Sequence, residues 1–456
     1  MNEITRTERH IIKRNHILYS KFGEITFASK NLYNLSNYYM RQVFIICDKI
    51  KNNIPVNNEQ TKFLEEINKK VNDYNKFKEN NSKNKSKEIK KLNFFDADNK
   101  SKSIKYDFLN FLMKNTPEYK DLYAQISQQC LKLLEKNWKS FFSSIKDWKK
   151  NPAKYSGKPK LPKYLKKNGK NIVILTNQLV EYHDNELFFP PRIGNFKFKT
   201  RINGKFQQVR VLPRNNLFVI EIVYRKQVPE FKKNNGKYVG VDLGVNNLAA
   251  LTNSENILPV LISGKKAKSI NQYYNKKLSF YRKVVKQMNN KEWSNKMGKI
   301  TLKRNSIMKD CFHKASKSIV DYALSCGANT VVIGYNQGWK TNVNMGKKVN
   351  QAFVGLPHKT LVEQIRYKCE EHGINVELPD ERYTSGTSFL DNEKPVKELY
   401  DKKRRVRRGL FKSNAGKFIN ADINASLQII KKVSPDAFNK GHGVEDCGFN
   451  PVKVVL

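Results

Sequence analysis

The period of the apolar residues changes twice along the chain, and that limits the fold more than any other feature. From Leu122 the apolar side chains recur every four residues, at Ile126, Cys130, Leu134 and Trp138, with Leu131, Phe141, Phe142 and Ile145 widening the stripe. This spacing predicts an amphipathic helix with one buried face. A partly apolar helical stretch precedes it at 25–50, and 78–104 is polar and lysine-rich, as in a loop or solvated surface. Between 172 and 226 the pattern becomes that of strands. Residues 206–213 and 217–225 alternate or run β-branched around the turn Arg214-Asn215-Asn216, with shorter runs at 172–176 and 186–200. Such a meander predicts a small antiparallel β-barrel. After Gly236 strands and helices alternate: strands at 238–244, 247–252, 257–262, 329–333 and 374–378, helices at 265–292, 300–325, 361–372 and 421–431. A meander that gives way to alternation predicts a sheet covered by helices.

Charge narrows the partners. The chain of 456 residues carries 86 Lys and Arg against 41 Asp and Glu, a formal net charge of +45. That excess repels itself and calls for a polyanion, nucleic acid above an anionic membrane or a ribosome surface. Lysines stand beside aromatics at Lys154-Tyr155, Lys163-Tyr164 and Trp339-Lys340, a mix suited to phosphate contact and base stacking. Pro152, Pro159 and Pro162 keep 151–164 out of regular helix. Its Lys154, Tyr155, Lys158, Lys160, Lys163 and Tyr164 can therefore lie along a phosphate backbone; an inert linker is the other reading. The six cysteines show neither metal-ligand spacing nor a disulfide framework, which predicts free thiols in a reducing compartment. The N-terminus lacks the apolar core of a signal peptide, and no apolar run of about 18 residues is long enough to span a membrane. The surplus of Lys, Asn and Ile suggests AT-rich codons. A bacterial cytoplasmic protein associated with the nucleoid is the expectation.

Two aspartates stand out. Asp242 closes a strand between Gly240 and Gly244, where glycines permit a tight turn and close approach of a phosphate. Asp422 opens a helix among the small residues Ala421, Ala425 and Ser426, as a helix packed close to a sheet requires. Each also has a plain structural reading, closing a turn for Asp242 and capping a helix for Asp422. Brought together with a third carboxylate, they suit two Mg²⁺ ions about 4 Å apart. Mg²⁺ takes oxygen ligands and keeps several waters, so few side chains suffice.

Gly240-Val241-Asp242-Leu243-Gly244-Val245-Asn246-Asn247-Leu248-Ala249, the Asn-Ala-Asp-Ile-Asn-Ala at 420–425 and the basic run at 402–411 resemble the TnpB family of transposon-encoded proteins, relatives of type V CRISPR effectors. The likeness extends to Ser29–Asn34, Asn137–Phe141 and Gly157–Pro162 and is weakest at 51–105. It implies an RNA-guided, Mg²⁺-dependent DNA endonuclease with one RuvC-type (RNase H-like) site, Mn²⁺ being able to replace Mg²⁺. The implied partners are a guide RNA, double-stranded target DNA read beside a short adjacent motif, and the RNA–DNA heteroduplex, with no membrane. The implied architecture is multidomain α+β. The N-terminal part of a β-barrel wedge domain takes 1–30, a helical recognition domain 31–150 and the rest of the wedge 151–236. The RuvC α/β nuclease domain takes 237–385 and 416–436, interrupted by a basic target-nucleic-acid-binding insert at 386–415, and 437–456 is a C-terminal tail. A compact type V CRISPR effector and a nuclease-inactive, RNA-guided DNA-binding repressor are the alternatives.

The chain departs from the family in two places. Many relatives carry the middle catalytic Glu directly after a strand like Val331-Val332-Ile333, where this chain has Gly334. A subgroup resembles Pro379-Asp380-Glu381-Arg382-Tyr383-Thr384-Ser385 instead, which assigns the third metal ligand, beside Asp242 and Asp422, to Glu381, with Glu377 and Asp380 as alternatives. Relatives also carry two cysteine pairs after this point. Here the next cysteine is Cys447, so no structural zinc is expected and the insert must be held otherwise. Its Lys402, Lys403, Arg404, Arg405, Arg407 and Arg408 suit phosphate contact, as do Trp339 and Lys340 upstream; a solvated charge run is the plain reading. His313, at the expected start of a helix, is either a nucleic-acid contact or a packed side chain.

Overall fold

A computed structural model describes the chain except residues 1, 82–89, 97–102, 215, 291, 337–346, 408 and 439–449. The expected contacts Trp339, Lys340 and Arg408 lie outside the described residues. The chain divides into two compact units, residues 4–226 and residues 227–456 with the first three.

The first unit contains β1 (Asn2–Ile12), α1 (Leu18–Lys51), α2 (Asn58–Asn80), α3 (Tyr106–Met113), α4 (Pro117–Lys120), α5 (Ala124–Lys150), β2 (Val173–Thr176), β3 (Glu181–His183), β4 (Glu186–Phe188), β5 (Lys197–Lys199), β6 (Lys205–Arg214) and β7 (Leu217–Val228). The four-residue stripe becomes α5, burying Ile126, Cys130, Leu131, Leu134 and Trp138. Trp138 Nε1 donates to Asn37 of α1 at 3.0 Å, which satisfies the indole polar atom inside the core. Four strands form a sheet in the order β1-β7-β6-β2, and β3, β4 and β5 pair only with one another. The expected barrel is therefore not found as a closed structure among the described residues. The three short strands are three residues each, joined by a tight hairpin with positive φ at Asp184 and Asn185, and so cannot bridge β1 to β2.

The second unit contains β8 (Tyr238–Leu243), β9 (Asn247–Asn253), β10 (Val260–Ser263), α6 (Lys265–Asn289), α7 (Asn295–Ser325), β11 (Thr330–Ile333), α8 (Lys347–Gly355), α9 (His358–Glu370), β12 (Asn375–Glu377), β13 (Leu410–Lys412), β14 (Phe418–Asn420), α10 (Ala421–Val433) and β15 (Val452–Val454). Its main sheet has the order β12-β11-β8-β9-β10-β15. The β11 strand runs parallel to β8 and β12, whereas β9 is antiparallel to β8 and β10. Side chains alternate across the sheet. Val239, Val241 and Leu243 of β8 enter a core shared with α7 and α9. The opposite face meets α10: Tyr238 and Val332 pack with Ile429 and Ile430. By the same alternation Asp242 belongs to the α10 face.

One expectation changes. His313 lies within α7 rather than at a helix start, and its Nδ1 meets the Tyr367 hydroxyl of α9 at 3.4 Å, the packed arrangement. The tail contributes β15, which pairs parallel with β10 at the sheet edge.

Candidate active site

Gly240 decides how close α10 comes to the sheet. A Cβ at this position would lie 2.5 Å from the Ser426 carbonyl oxygen and 2.8 Å from Ile430, so only glycine permits the observed packing. Its role is helix approach, in place of the phosphate approach anticipated from the motif. The small residues on α10 complete the fit, and Thr252 Oγ1 meets Ser426 Oγ at 2.8 Å beneath the helix. Asn420 caps α10, its Oδ1 accepting from the backbone N–H of Asp422 and Ile423 at 3.0 and 3.2 Å. The Asp422 side chain is thus not the cap. It accepts from Asn247 Nδ2 at 2.8 Å and from Arg405 at 3.2 Å.

Gly334 follows β11 directly, and its N–H donates to the Val241 carbonyl at 3.1 Å. Tyr335 N–H donates to the Pro379 carbonyl at 3.1 Å, which sets the loop after β12 beside the end of β11. A Cβ at 334 would lie 2.6 Å from Ile429 and 3.2 Å from the Cβ of Glu381. The space beside Gly334 is therefore taken by Glu381 and Ile429, leaving little room for a side chain at 334. Two contacts hold the Glu381 backbone. Its N–H donates to Asn336 Oδ1 at 3.0 Å, and Lys432 Nζ of α10 donates to the carbonyls on either side, Asp380 and Arg382, at 2.7 and 2.6 Å.

Asp242, Glu381 and Asp422 line one cavity of about 1120 Å³. Lys265, Lys268, Arg405, Arg407 and Lys453 line it with them. Of the alternatives for the third carboxylate, Asp380 pairs with Arg382, and Glu377 is exposed on the edge strand β12. Burial first, and then the neighbouring Asp422 carboxylate, push Asp242 up to about 7 against the opposing charge of Arg405. Burial, followed by the charges of Asp242 and Asp380, pushes Glu381 up to about 8, with Lys432 opposing. The donor set of carboxylate oxygens suits a hard divalent cation. Among the described residues no group of three or more Asp, Glu, His or Cys side chains closes into a metal cage, so the carboxylates share the cavity without yet converging on one point.

The other candidates fall into two sets. In the first unit the end of the strip and the residues just after it, 162–167, are tied to one face of α1: Lys30, Asn34, Asn37 and Arg41 donate to the carbonyls of Lys167, Leu165, Pro162 and again Pro162 at 2.8–3.1 Å. Lys160 and Lys163 line a groove with Tyr33 and Phe141, and Tyr164 lies under the Arg41 guanidinium. Lys158 sits over the Trp148 ring. Lys154 and Tyr155 both engage Asp147, at 2.8 and 2.7 Å. In the insert, Lys402 and Lys403 are exposed, and Arg405 and Arg407 face the carboxylate cavity. Arg404 is inward and pairs with Glu393 at 2.5 Å. Glu393 also accepts from Ser388 N–H at 2.7 Å and Asn414 Nδ2 at 3.1 Å, while Asp391 accepts from Asn414 N–H at 2.7 Å. These carboxylates hold the turns of the insert together. Sequence reasoning missed Asn247, Lys265, Lys268, Lys432 and Lys453. Asn247 alone carried a signal, standing five residues after Asp242 at the start of the partner strand.

The end of β8, the loop after β12 and the first turn of α10 bring three carboxylates to one cavity under a basic rim, which defines the class, an acidic site suited to divalent cations. Residues 221–340 match the family model OrfB_IS605, probable transposase, and residues 358–429 match the model of the Cas12f1-like TNB domain. The chain thus carries a region similar to the OrfB_IS605 probable transposase family and, after it, a region similar to the Cas12f1-like TNB domain. No curated protein matches. Similar solved structures include a Cas12f1-sgRNA-target DNA complex, at 15% identity over 93% of this chain and 98% of that chain with a TM-score of 0.34. A CRISPR-Cas12f ternary complex matches at 14% identity over 89% and 81%, again with a TM-score of 0.34. Among the described residues no helix is long and apolar enough to cross a membrane.

Proposed function

We propose that this chain is an RNA-guided DNA endonuclease, with Asp242, Glu381 and Asp422 as the ligands of two Mg²⁺ ions. The observation that carries the reading is that three carboxylates from separate segments line one basic-rimmed cavity, two of them pushed up to about 7 and 8. Carboxylates crowded at that cost, with Arg405 as the cation nearest Asp422, suit a bound cation better than an empty cavity. Bound Mg²⁺ supplies an activated water and neutralises the leaving oxygen. The residues do the rest. Asn247 and Arg405 orient Asp422, Asn336 and Lys432 hold the Glu381 loop, and Arg407, Lys265 and Lys268 draw phosphate to the rim.

The guide RNA and target DNA named for the similar Cas12f1 complex are the partners proposed here, with sequence read by RNA–DNA pairing. In that reading the first unit supplies the recognition and wedge functions, its strip 151–164 following a backbone. Against the nuclease-inactive alternative stands Glu381, seated beside Gly334. The test is plasmid cutting by protein co-expressed with the RNA that flanks its gene. Asp242→Ala should lower cutting at least about 10³-fold with DNA binding retained; unchanged cutting overturns the proposed site.

A further inference from the structure

The helix α6 leaves the carboxylate cavity carrying eight basic residues and no acidic one: Lys265, Lys266, Lys268, Lys276, Lys277, Arg282, Lys283 and Lys286. Its inner side buries Ala267, Asn271 and Leu278. Its outer side is an ordered stripe. Lys265, Gln272, Lys276 and Lys283 follow one another at intervals of seven, four and seven residues, which keeps them on one face. Tyr273 and Phe280 flank that stripe, each 59% exposed and about 10 Å apart along the helix axis. Two large aromatic rings that exposed, among lysines, are costly to leave in water and serve no core. The stripe also has an origin: Lys265, Lys268 and Gln272 line the cavity that holds Asp242, Glu381 and Asp422. Farther along, Ser279, Arg282, Lys283 and Lys286 line a second groove of about 420 Å³.

We propose that the outer face of α6 is a track for single-stranded DNA, along which the strand to be cut runs into the carboxylate cavity. Tyr273 and Phe280 stack its bases while Lys276 and Lys283 meet its phosphates. Stacking plus a basic groove binds single strands with little regard to sequence. A duplex would bury its bases and leave the two rings without partners. The occupant is assigned to DNA because the stripe begins at the proposed cutting site, so the inference rests on the endonuclease reading.

The test uses the full chain with its copurified RNA, carrying Asp242→Ala so that DNA stays intact. The probe is a fluorescein-labelled, mixed-sequence single-stranded DNA of about 15 nucleotides that does not pair with that RNA. Adding Tyr273→Ala and Phe280→Ala should weaken binding at least about tenfold, from two lost stacking contacts. Adding Lys276→Gln and Lys283→Gln instead should lower the slope of log affinity against log salt by about 1.4. All four side chains lie outside the core, and the melting temperature should stay unchanged. Affinity within about twofold of the parent in the aromatic variant overturns the track. Loss of copurifying RNA in that variant overturns it too, and gives the face to guide RNA. If Asp242→Ala leaves cutting intact, the endonuclease reading fails; if Asp242→Ala abolishes cutting but the aromatic variant binds normally, only the track fails.

Discussion

Asp242 and Glu381 sit where ionisation is opposed, and that gives the site a pH signature of its own. Their folded values of about 7 and 8 lie above the ordinary 3.8 and 4.5. Between about pH 4 and 8 the folded chain therefore holds protons that the unfolded chain has released, and stability falls as pH rises through that window. Asp242→Asn removes one of these groups. Without divalent metal it should stabilise the chain at pH 8 by about 1–2 kcal/mol after solvent screening, and the gain should shrink toward pH 5. Thermal melts of both chains across this range check it. A stability gain that grows toward acid would contradict the assigned direction. Mn²⁺ at pH 8 should stabilise the parent and not the variant. At this scale Asp242 and Asp422 were legible, because a strand end between glycines and a helix start among small residues are local patterns. Glu381 was legible only as one of three choices. What favours it in the proposed site is the tie from Lys432 and Asn336 and the space beside Gly334, all long-range.

Among the elements, the insert at 386–415 shows how a segment with little regular structure is kept in place. The Glu393 carboxylate is 10% exposed and faces Arg404 at 16%. Asn424 of α10, fully buried, accepts from Phe389 N–H at 2.9 Å and donates to the Thr387 carbonyl at 2.9 Å. Phe411 and Ile419, paired across β13 and β14, pack with Ile423 and Leu427 of α10. Glu393→Gln leaves Arg404 inward without its countercharge, a loss of about 2–4 kcal/mol. Trypsin should then cut at Lys402 and Lys403 several-fold faster, and adding Arg404→Gln should recover part of the protection. Equal cutting rates in parent and single variant would show that the pair does not hold the insert. The sequence announced the long periodic elements α5 and α10. Less plain are α2, whose stripe of Phe63, Leu64, Ile67, Val71 and Tyr74 is diluted by charged and amide residues, and β15, a three-residue strand after the turn pair Asn450-Pro451. The strand β15 is too short to show a period, and its pairing with β10 sets it.

For the whole molecule the question is whether the two units are independent in folding. The first unit has a core that runs from Ile12 of β1 through α1, α2, α3 and α5 to Ile222 of β7, so its helices and strands stabilise one another. Pairing of β1 with β7 joins the start of the unit to its end. Glu221, 7% exposed, meets Arg9 at 2.8 Å and Arg210 at 3.9 Å, an ion cluster completed within the unit. These contacts close on themselves, as those of a domain do. A fragment from Asn2 to Val228 should fold alone, with near-ultraviolet circular dichroism from the packed Trp138 and one cooperative melt. The chain's formal net charge of +45 opposes compaction of the whole molecule, so the full protein, treated to remove any nucleic acid, should gain melting temperature as salt rises from about 0.05 to 0.5 M. A fragment that lacks the near-ultraviolet signal, yet keeps its far-ultraviolet helix content, would show that this core needs the second unit to pack.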